Sequence, residues 1–173
     1  MITKGAIGIG SNQGNRHALL TQATEMLRSI WDCPMRRSSI YETEAWGMAE
    51  GTPAFLNQVL LFEWEQMPRA EDLLDDLLHI ELELGRIRRP SSNQGYQSRT
   101  IDLDLLFLGE HVQSSNRLEL PHPRMTSRKF VLEPLNELCP DFIVQPWDQS
   151  VQELMNACSD EAPVRLYLSA SQE

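Results

Sequence analysis

The sequence predicts an α+β sandwich, one antiparallel sheet covered by helices, and three observations predict it. Hydrophobic periodicity alternates between strand and helix spacing in the order β-α-β-β-α-β. Residues 55–65 carry apolar side chains on both faces and 105–108 are apolar throughout, so both strands run through a core. At 173 residues, 41% hydrophobic and 23% charged, the chain has material for one well-packed domain, 1–173, and not for two.

Residues 4–10, K-G-A-I-G-I-G, form a strand of small and β-branched residues that breaks at Ser11, Asn12, Gln13, Gly14 and Asn15. A strand, a glycine-bearing turn and a helix can aim backbone N–H groups at an anion. The segment lacks the lysine of a P-loop and the three glycines of a dinucleotide fingerprint, so a plain strand-to-helix turn explains it equally well. From about Arg16 to Trp31, Leu19, Leu20, Ala23, Met26, Leu27 and Ile30 recur at helical spacing and form a core stripe. Met35 to Glu42 reads as a second strand. Between Thr43 and Ala54, Gly47, Gly51 and Pro53 punctuate a loop whose Trp46 and Met48 suit either a ligand wall or a tuck against the surface.

The next strand places Leu56, Gln58, Leu60, Phe62 and Trp64 on one face and Phe55, Asn57, Val59, Leu61 and Glu63 on the other. Pro68 opens a helix that Gly85 stops. Leu73, Leu74, Leu77, Leu78, Ile80 and Leu84 cover one of its faces, opposite Asp72, Asp75, Asp76 and Glu83. Glu81 falls on the apolar side, where a carboxylate must be paired, and an internal strut for the following loop is expected. Ile87 to Ser98 is a polar, basic loop, and the stretch R-T-I-D-L-D-L-L-F-L-G from Arg99 to Gly109 is a strand. A hairpin with Arg117, Leu118 and Leu120 on its return arm follows, then a short helix from about Arg128 to Leu138. The extension 141–173 holds one helix, Val151 to Ala157, and its remaining residues say little. Together these elements make a ferredoxin-like βαββαβ sandwich with an extra hairpin and a C-terminal helix.

A formal charge of −10 and a pI near 4.8 repel a phosphodiester backbone, which excludes nucleic acid as the expected partner. The 15 basic residues nevertheless cluster: Arg86, Arg88, Arg89 and Arg99 precede the aspartates, and Arg117, Arg124, Arg128 and Lys129 follow them. A local cationic pocket in an acidic protein suits a small anionic ligand. Cys33, Cys139 and Cys158 lack C-x-x-C spacing and read as reduced thiols of a cytoplasmic protein. No apolar run approaches the length of a membrane span and no export signal opens the chain, so neither a membrane nor an export route is expected.

Ile101 to Leu105 alternate between apolar and acidic residues, which puts Asp102 and Asp104 on one strand face about 6.5 Å apart. Two such carboxylates can grip hard cations, although a lone D-x-D is more often ordinary surface charge. The surrounding arginines, His122 between two prolines, and the aromatic and amide groups of Trp46, Phe55 and Asn57 shift that balance. Divalent cations and arginines neutralise a polyphosphate. An aromatic face and an amide edge suit a flat heterocycle.

With these pieces assembled, the chain resembles the 6-hydroxymethyl-7,8-dihydropterin pyrophosphokinase family. The resemblance is carried by I-G-I-G-S-N at 7–12, Y-E-T at 41–43, P-A-F-L-N at 53–57, I-E-L-E-L-G-R-I-R at 80–88, R-T-I-D-L-D-L-L at 99–106 and L-P-H-P…R-K-F-V-L-E-P-L at 120–135. These motifs are collinear and cover about residues 5–140. The resemblance implies transfer of a diphosphoryl group from ATP to a pterin alcohol in folate biosynthesis, with attack on the β-phosphorus and release of AMP. It implies Asp102 and Asp104 as ligands of two Mg²⁺, and Arg99, His122 and Arg128 as phosphate contacts acting with them in catalysis. Arg86, Arg88 and Arg117 support the nucleotide side. Thr43, Ala45, Trp46, Phe55, Asn57, Tyr96 and Phe130 are the implied pterin contacts. No general base stands out; Asp102 and an oxygen coordinated to the cation are the two candidates for the proton. The implied partners are ATP and the reduced pterin, with a monomer expected and other folate-pathway enzymes as possible associates.

The chain departs from the family pattern in places. Tyr96 stands at a customary tryptophan, Ser98 at a proline and Glu44 at another proline, and the loop between Arg89 and Arg99 is longer than in many members. Loop closure over substrate is therefore expected to differ. The alternatives are a non-catalytic nucleotide- or pterin-binding module on the same fold and a D-x-D nucleotidyl transferase, which would release pyrophosphate.

Overall fold

Strand β1 (Thr3–Ser11) is an interior strand of the sheet, its small and β-branched residues letting neighbouring elements close in on both its faces. The structure is a computed structural model and describes residues 2–45, 51–86 and 99–170. Helix α1 (Arg16–Ile30) follows, capped by the Asn15 side chain accepting from the Ala18 N–H at 3.1 Å. Next come β2 (Met35–Arg37), β3 (Ile40–Thr43), β4 (Phe55–Trp64), α2 (Ala70–Glu83) and β5 (Asp102–Leu108). The hairpin β6 (Gln113–Ser114) and β7 (Glu119–Leu120) leads through one 3-10 turn, Met125–Ser127, to α3 (Lys129–Leu138). A second small hairpin, β8 (Ile143–Val144) and β9 (Gln149–Ser150), precedes α4 (Val151–Ala157) and β10 (Val164–Leu168).

The main sheet runs β10-β3-β4-β1-β5, with β2 also on β4, and every pairing is antiparallel. It is the expected βαββαβ sandwich, with hairpin and C-terminal helix added. Ile7, Ile9, Leu56, Leu60, Phe62, Leu103 and Leu105 pack on α1 and α2 on one side. Ala6, Val59, Leu61, Leu106 and Phe107 pack with Val131, Leu132 and Leu135 of α3 and Leu154 of α4 on the other. Each fully buried Leu, Ile or Phe contributes about 1.5–3 kcal/mol, so the two-sided core dominates stability.

Four expectations need correction. Met35 to Glu42 is not one strand: Arg37 pairs with Leu60 and Tyr41 with Asn57, so one extra residue is spliced in at Ser38 and Ser39. Those serines turn inward, where Ser38 Oγ accepts from the Val59 N–H at 2.9 Å and Ser39 N–H donates to Glu137 at 3.0 Å. Ile30 is 45% exposed, because Trp31 takes the core position and donates its indole N–H to Asp76 at 2.7 Å. The helix predicted from Pro68 begins at Ala70. The C-terminal extension does carry structure of consequence, since β10 extends the main sheet beyond β3.

Candidate active site

At one end of the sheet β1 and β3 finish while β4 and β5 begin, and this end gathers most of the expected site residues. Cross-strand register places Tyr41 opposite Asn57, Asn57 opposite Gly10, and Gly10 opposite Asp102; Gly8 pairs with Asp104 in the next row. Directly opposed residues share a face, so one row reads amide, bare backbone, carboxylate. Across two inter-strand spacings, Asn57 and Asp102 stand about 10 Å apart. A Cβ on Gly10 would lie 3.4 Å from Asn57 Oδ1 and 3.9 Å from Phe55 Cδ1, so glycine keeps a flat floor beside the amide.

Asn57 is buried and donates to Thr43 Oγ1 at 2.8 Å, which fixes the orientation of its amide. Phe55 heads β4 on the same face, half-buried. Phe130 lies in the first turn of α3, with the Arg128 guanidinium 5.6 Å from its ring centroid. Ala45 is half-buried just past β3. Trp46, Arg88, Tyr96 and Ser98 lie outside the described residues.

The alternation predicted at Ile101 to Leu105 is realised: Ile101, Leu103 and Leu105 are buried under the helices, and Asp102 and Asp104 face the other way. Arg86 bonds Asp102 Oδ1 and Arg99 bonds Asp102 Oδ2. Glu81, 2% exposed, bonds Arg86 and accepts from the Leu103 N–H at 2.8 Å, which makes it the strut that its place on the apolar face requires. Burial opposes the Arg86 charge, but Asp102 and Glu81 more than offset it and hold the guanidinium above its usual range.

Asp104 is looser, with His122 Nε2 at 3.9 Å and Arg128 Nη1 at 3.8 Å. Burial and then the like charge of Asp102 push its carboxyl up to about 6, against the pull of Arg128 and Arg99. Burial, followed by the guanidiniums of Arg128 and Arg124, holds the His122 imidazole down to about 4, so it is neutral near pH 7. Its Nδ1 accepts from the Arg124 N–H at 3.1 Å, leaving the ring proton on Nε2, toward Asp104. Arg117 is not brought to the aspartates: an exposed ion pair holds it to Asp75 on α2.

The Ser-Asn pair at the end of β1 is the part that sequence reasoning undervalued. Ser11 and Asn12 are fully buried. Asn12 Oδ1 accepts from the Arg99 N–H at 2.8 Å, its Nδ2 donates to the Pro53 carbonyl at 3.3 Å, and its own N–H donates to the Arg99 carbonyl at 3.3 Å. Ser11 Oγ donates to the Thr100 carbonyl. The turn thus ties the loop before β4 to the approach to β5, a role different from aiming N–H groups at an anion. Arg16 adds a second tie, donating to Glu42 at 2.8 Å and to the Ala54 carbonyl at 2.7 Å. The available signal was a pair of short polar residues closing a buried strand.

Among the described residues no group of three or more His, Cys, Asp and Glu side chains is arranged to hold a metal. Asp102 and Asp104 are hard oxygen donors on one face, and they fit a hard divalent ion that completes its shell with oxygens of a ligand. A carboxylate pair, flanking guanidiniums and an amide-edged floor at one end of an α+β sandwich have the chemistry that a transferase of phosphoryl groups requires.

The comparisons agree. Residues 6–140 match the family described as 7,8-dihydro-6-hydroxymethylpterin-pyrophosphokinase (HPPK), and the chain belongs to that family. A Porphyromonas gingivalis relative, named 2-amino-4-hydroxy-6-hydroxymethyldihydropteridine pyrophosphokinase, is 42% identical over 136 residues, covering 78% of this chain and 89% of its own. A Pseudomonas aeruginosa relative of the same name is 34% identical over 167 residues, covering 96% and 98%. The fold matches a solved HPPK-DHPS chain in complex with substrates at a TM-score of 0.64 and 12% identity, over 90% of this chain and 43% of that one. The Plasmodium falciparum HPPK-DHPS structure with pteroate gives 0.63 at 12% identity, over 91% and 42%.

Proposed function

We infer that this enzyme transfers a diphosphoryl group from ATP to the hydroxymethyl oxygen of 6-hydroxymethyl-7,8-dihydropterin, giving AMP and the pterin diphosphate of folate biosynthesis. The observation that carries this reading in the structure is the row Asn57, Gly10, Asp102, which sets a ring-reading amide and a cation-binding carboxylate on either side of bare backbone.

In this reading the Asn57 amide, oriented by Thr43, hydrogen-bonds along the pterin edge over the Gly10 floor, and Phe55 and Phe130 supply its stacking faces. Trp46, Ala45 and Tyr96 complete the wall. Asp102 and Asp104 would hold two Mg²⁺, which would supply charge neutralisation for the polyphosphate. Arg99 and Arg128 clamp phosphate oxygens, and neutral His122 donates from Nε2. Arg86, Arg88 and Arg117 serve the nucleotide side. With Asp102 committed to the cations in this reading, positioning and charge neutralisation carry more of the rate than proton abstraction by that carboxylate. We place the enzyme in the cytoplasm as a monomer acting on small molecules, without nucleic-acid or membrane partners. No helix of the described residues is long and apolar enough to cross a membrane.

Incubation with ATP, Mg²⁺ and the reduced pterin tests the reading: AMP is the expected nucleotide product, and tight ligand binding without turnover would favour a binding module instead.

A further inference from the structure

We propose that Arg86 and Arg99 are built-in counter-ions of Asp102, which passes to a divalent cation only when a polyphosphate arrives to take the arginines, and that Glu81 is the positioning residue that retains Arg86 through the exchange. The proposal rests on the nucleotide-and-metal reading of the site given above.

The two aspartates are not equivalent. Each Asp102 oxygen is in direct contact with a guanidinium, and the side chain is only 22% exposed. Among the described residues Asp104 has Arg128 Nη1 at 3.8 Å and His122 Nε2 at 3.9 Å, neither at hydrogen-bond distance. A bare dication approaching Asp102 therefore meets two guanidiniums already at contact, whereas at Asp104 the nearest guanidinium stands 3.8 Å off. The two carboxylates offer at most four oxygens, and a hard divalent ion takes about six ligands. A polyphosphate resolves both problems, because its oxygens complete the metal shell and give the guanidiniums forked acceptors of their own. Arginine–aspartate pairs become arginine–phosphate and metal–aspartate pairs, so no buried charge is left unpaired during the exchange.

The exchange needs arginines that let go of Asp102 without leaving the site, and both are tethered. The backbone of Arg99 is held by Asn12 through the bonds at 2.8 and 3.3 Å. Arg86 is held twice by Glu81: its guanidinium bonds the carboxylate, and its backbone N–H donates to the Glu81 carbonyl at 2.9 Å. Glu81 is itself pinned by the Leu103 N–H, one residue from Asp102. A carboxylate this buried, bonded to both the arginine and the strand, keeps Arg86 within reach after Asp102 is withdrawn.

The test is Mn²⁺ binding to the full chain, followed by electron paramagnetic resonance of the free ion, alone and with α,β-methylene-ATP, which cannot be cleaved at the bond this transfer breaks. Arg99→Ala should tighten binding of Mn²⁺ alone by about tenfold or more, and Arg86→Ala should act in the same direction. Arg28→Ala removes the same charge from the far end of α1, where Arg28 faces Glu25, and should change it by less than about twofold. Glu81→Gln keeps the size and the acceptor for Leu103 but leaves Asp102 as the carboxylate holding Arg86, so Mn²⁺ binding with the analogue should weaken by about tenfold and recover in Glu81→Gln/Arg86→Ala. Unchanged Mn²⁺ affinity in both arginine variants would overturn the counter-ion role, and unchanged affinity in Glu81→Gln would overturn the positioning role. Failure of the wild-type protein to bind the analogue under any metal condition would instead overturn the nucleotide reading.

Discussion

Replacing Asn12 by alanine tests how the site is assembled more sharply than replacing a residue that touches substrate. Asn12 is 1% exposed, and the hydrogen bonds its side chain makes include one from the Arg99 N–H at 2.8 Å and one to the Pro53 carbonyl at 3.3 Å. Alanine removes both. Pro53 is exposed, so water can replace the donor to its carbonyl at little cost. The Arg99 N–H is less accessible, and leaving a buried donor unpaired costs about 1–3 kcal/mol. The expected loss is therefore ~1–3 kcal/mol, well below that of a core truncation, because no large apolar volume is vacated. Function should suffer more than stability, since the same side chain fixes both the approach to Arg99 and the loop entering β4. A displacement of about 1 Å at a positioned group can cost on the order of 10²-fold in rate. Urea denaturation gives the first quantity, and AMP formation with varied ATP and pterin gives the second. A variant within about 0.5 kcal/mol of wild type and with unchanged kcat/KM for both substrates would refute the tying role of the turn.

The other expectations follow from equally local features. Gly10→Ala puts a methyl at ordinary contact distance from Asn57 and Phe55, so stability should shift by less than about 1 kcal/mol while KM for the pterin rises severalfold; an unchanged pterin KM would contradict the floor. Asp102→Ala and Asp104→Ala should each lower kcat by about 10²-fold or more, and only Asp102→Ala should also cost about 1–3 kcal/mol in urea melts, because it strips a contact from two guanidiniums. Cys139 is buried, and desolvation raises its thiol from 9.0 to about 11. A thiol that ionises more readily unfolded than folded contributes stability in full below the unfolded value, and loses it as pH rises from about 9 through about 11. Urea melts across that range should show a decline that Cys139→Ala reduces, and an identical slope in the variant would contradict the shift.

Much of the sandwich was legible because it rests on periodicity. The alternation at Ile101 to Leu105 determines which side chains go under α2 and which face outward, and β4 reads as central because both its faces are apolar. The extra residue at Ser38 and Ser39 was not legible, since it depends on Val59 and Glu137, which are distant in sequence and adjacent only once the sheet and α3 are formed. β10 escaped notice for a related reason: Leu166, Tyr167 and Leu168 stay largely exposed, so an edge strand leaves no buried-face pattern to read. At the site, Asp102, Asp104, Arg99, His122, Arg128 and Asn57 could be nominated from residue type and motif. The inequality of the two aspartates could not, because it arises from where Arg86 returns after the end of α2. Asn12 looked like turn chemistry, and only the fold shows that its amide joins two loops.

The most direct measurement is the identity of the nucleotide released when the purified protein is incubated with ATP, Mg²⁺ and 6-hydroxymethyl-7,8-dihydropterin. AMP, formed in equal amount with the pterin diphosphate and dependent on both substrates, is the predicted result. ADP in its place would mean attack at the γ-phosphorus, and pyrophosphate would mean attack at the α-phosphorus. Either product would contradict diphosphoryl transfer at this site.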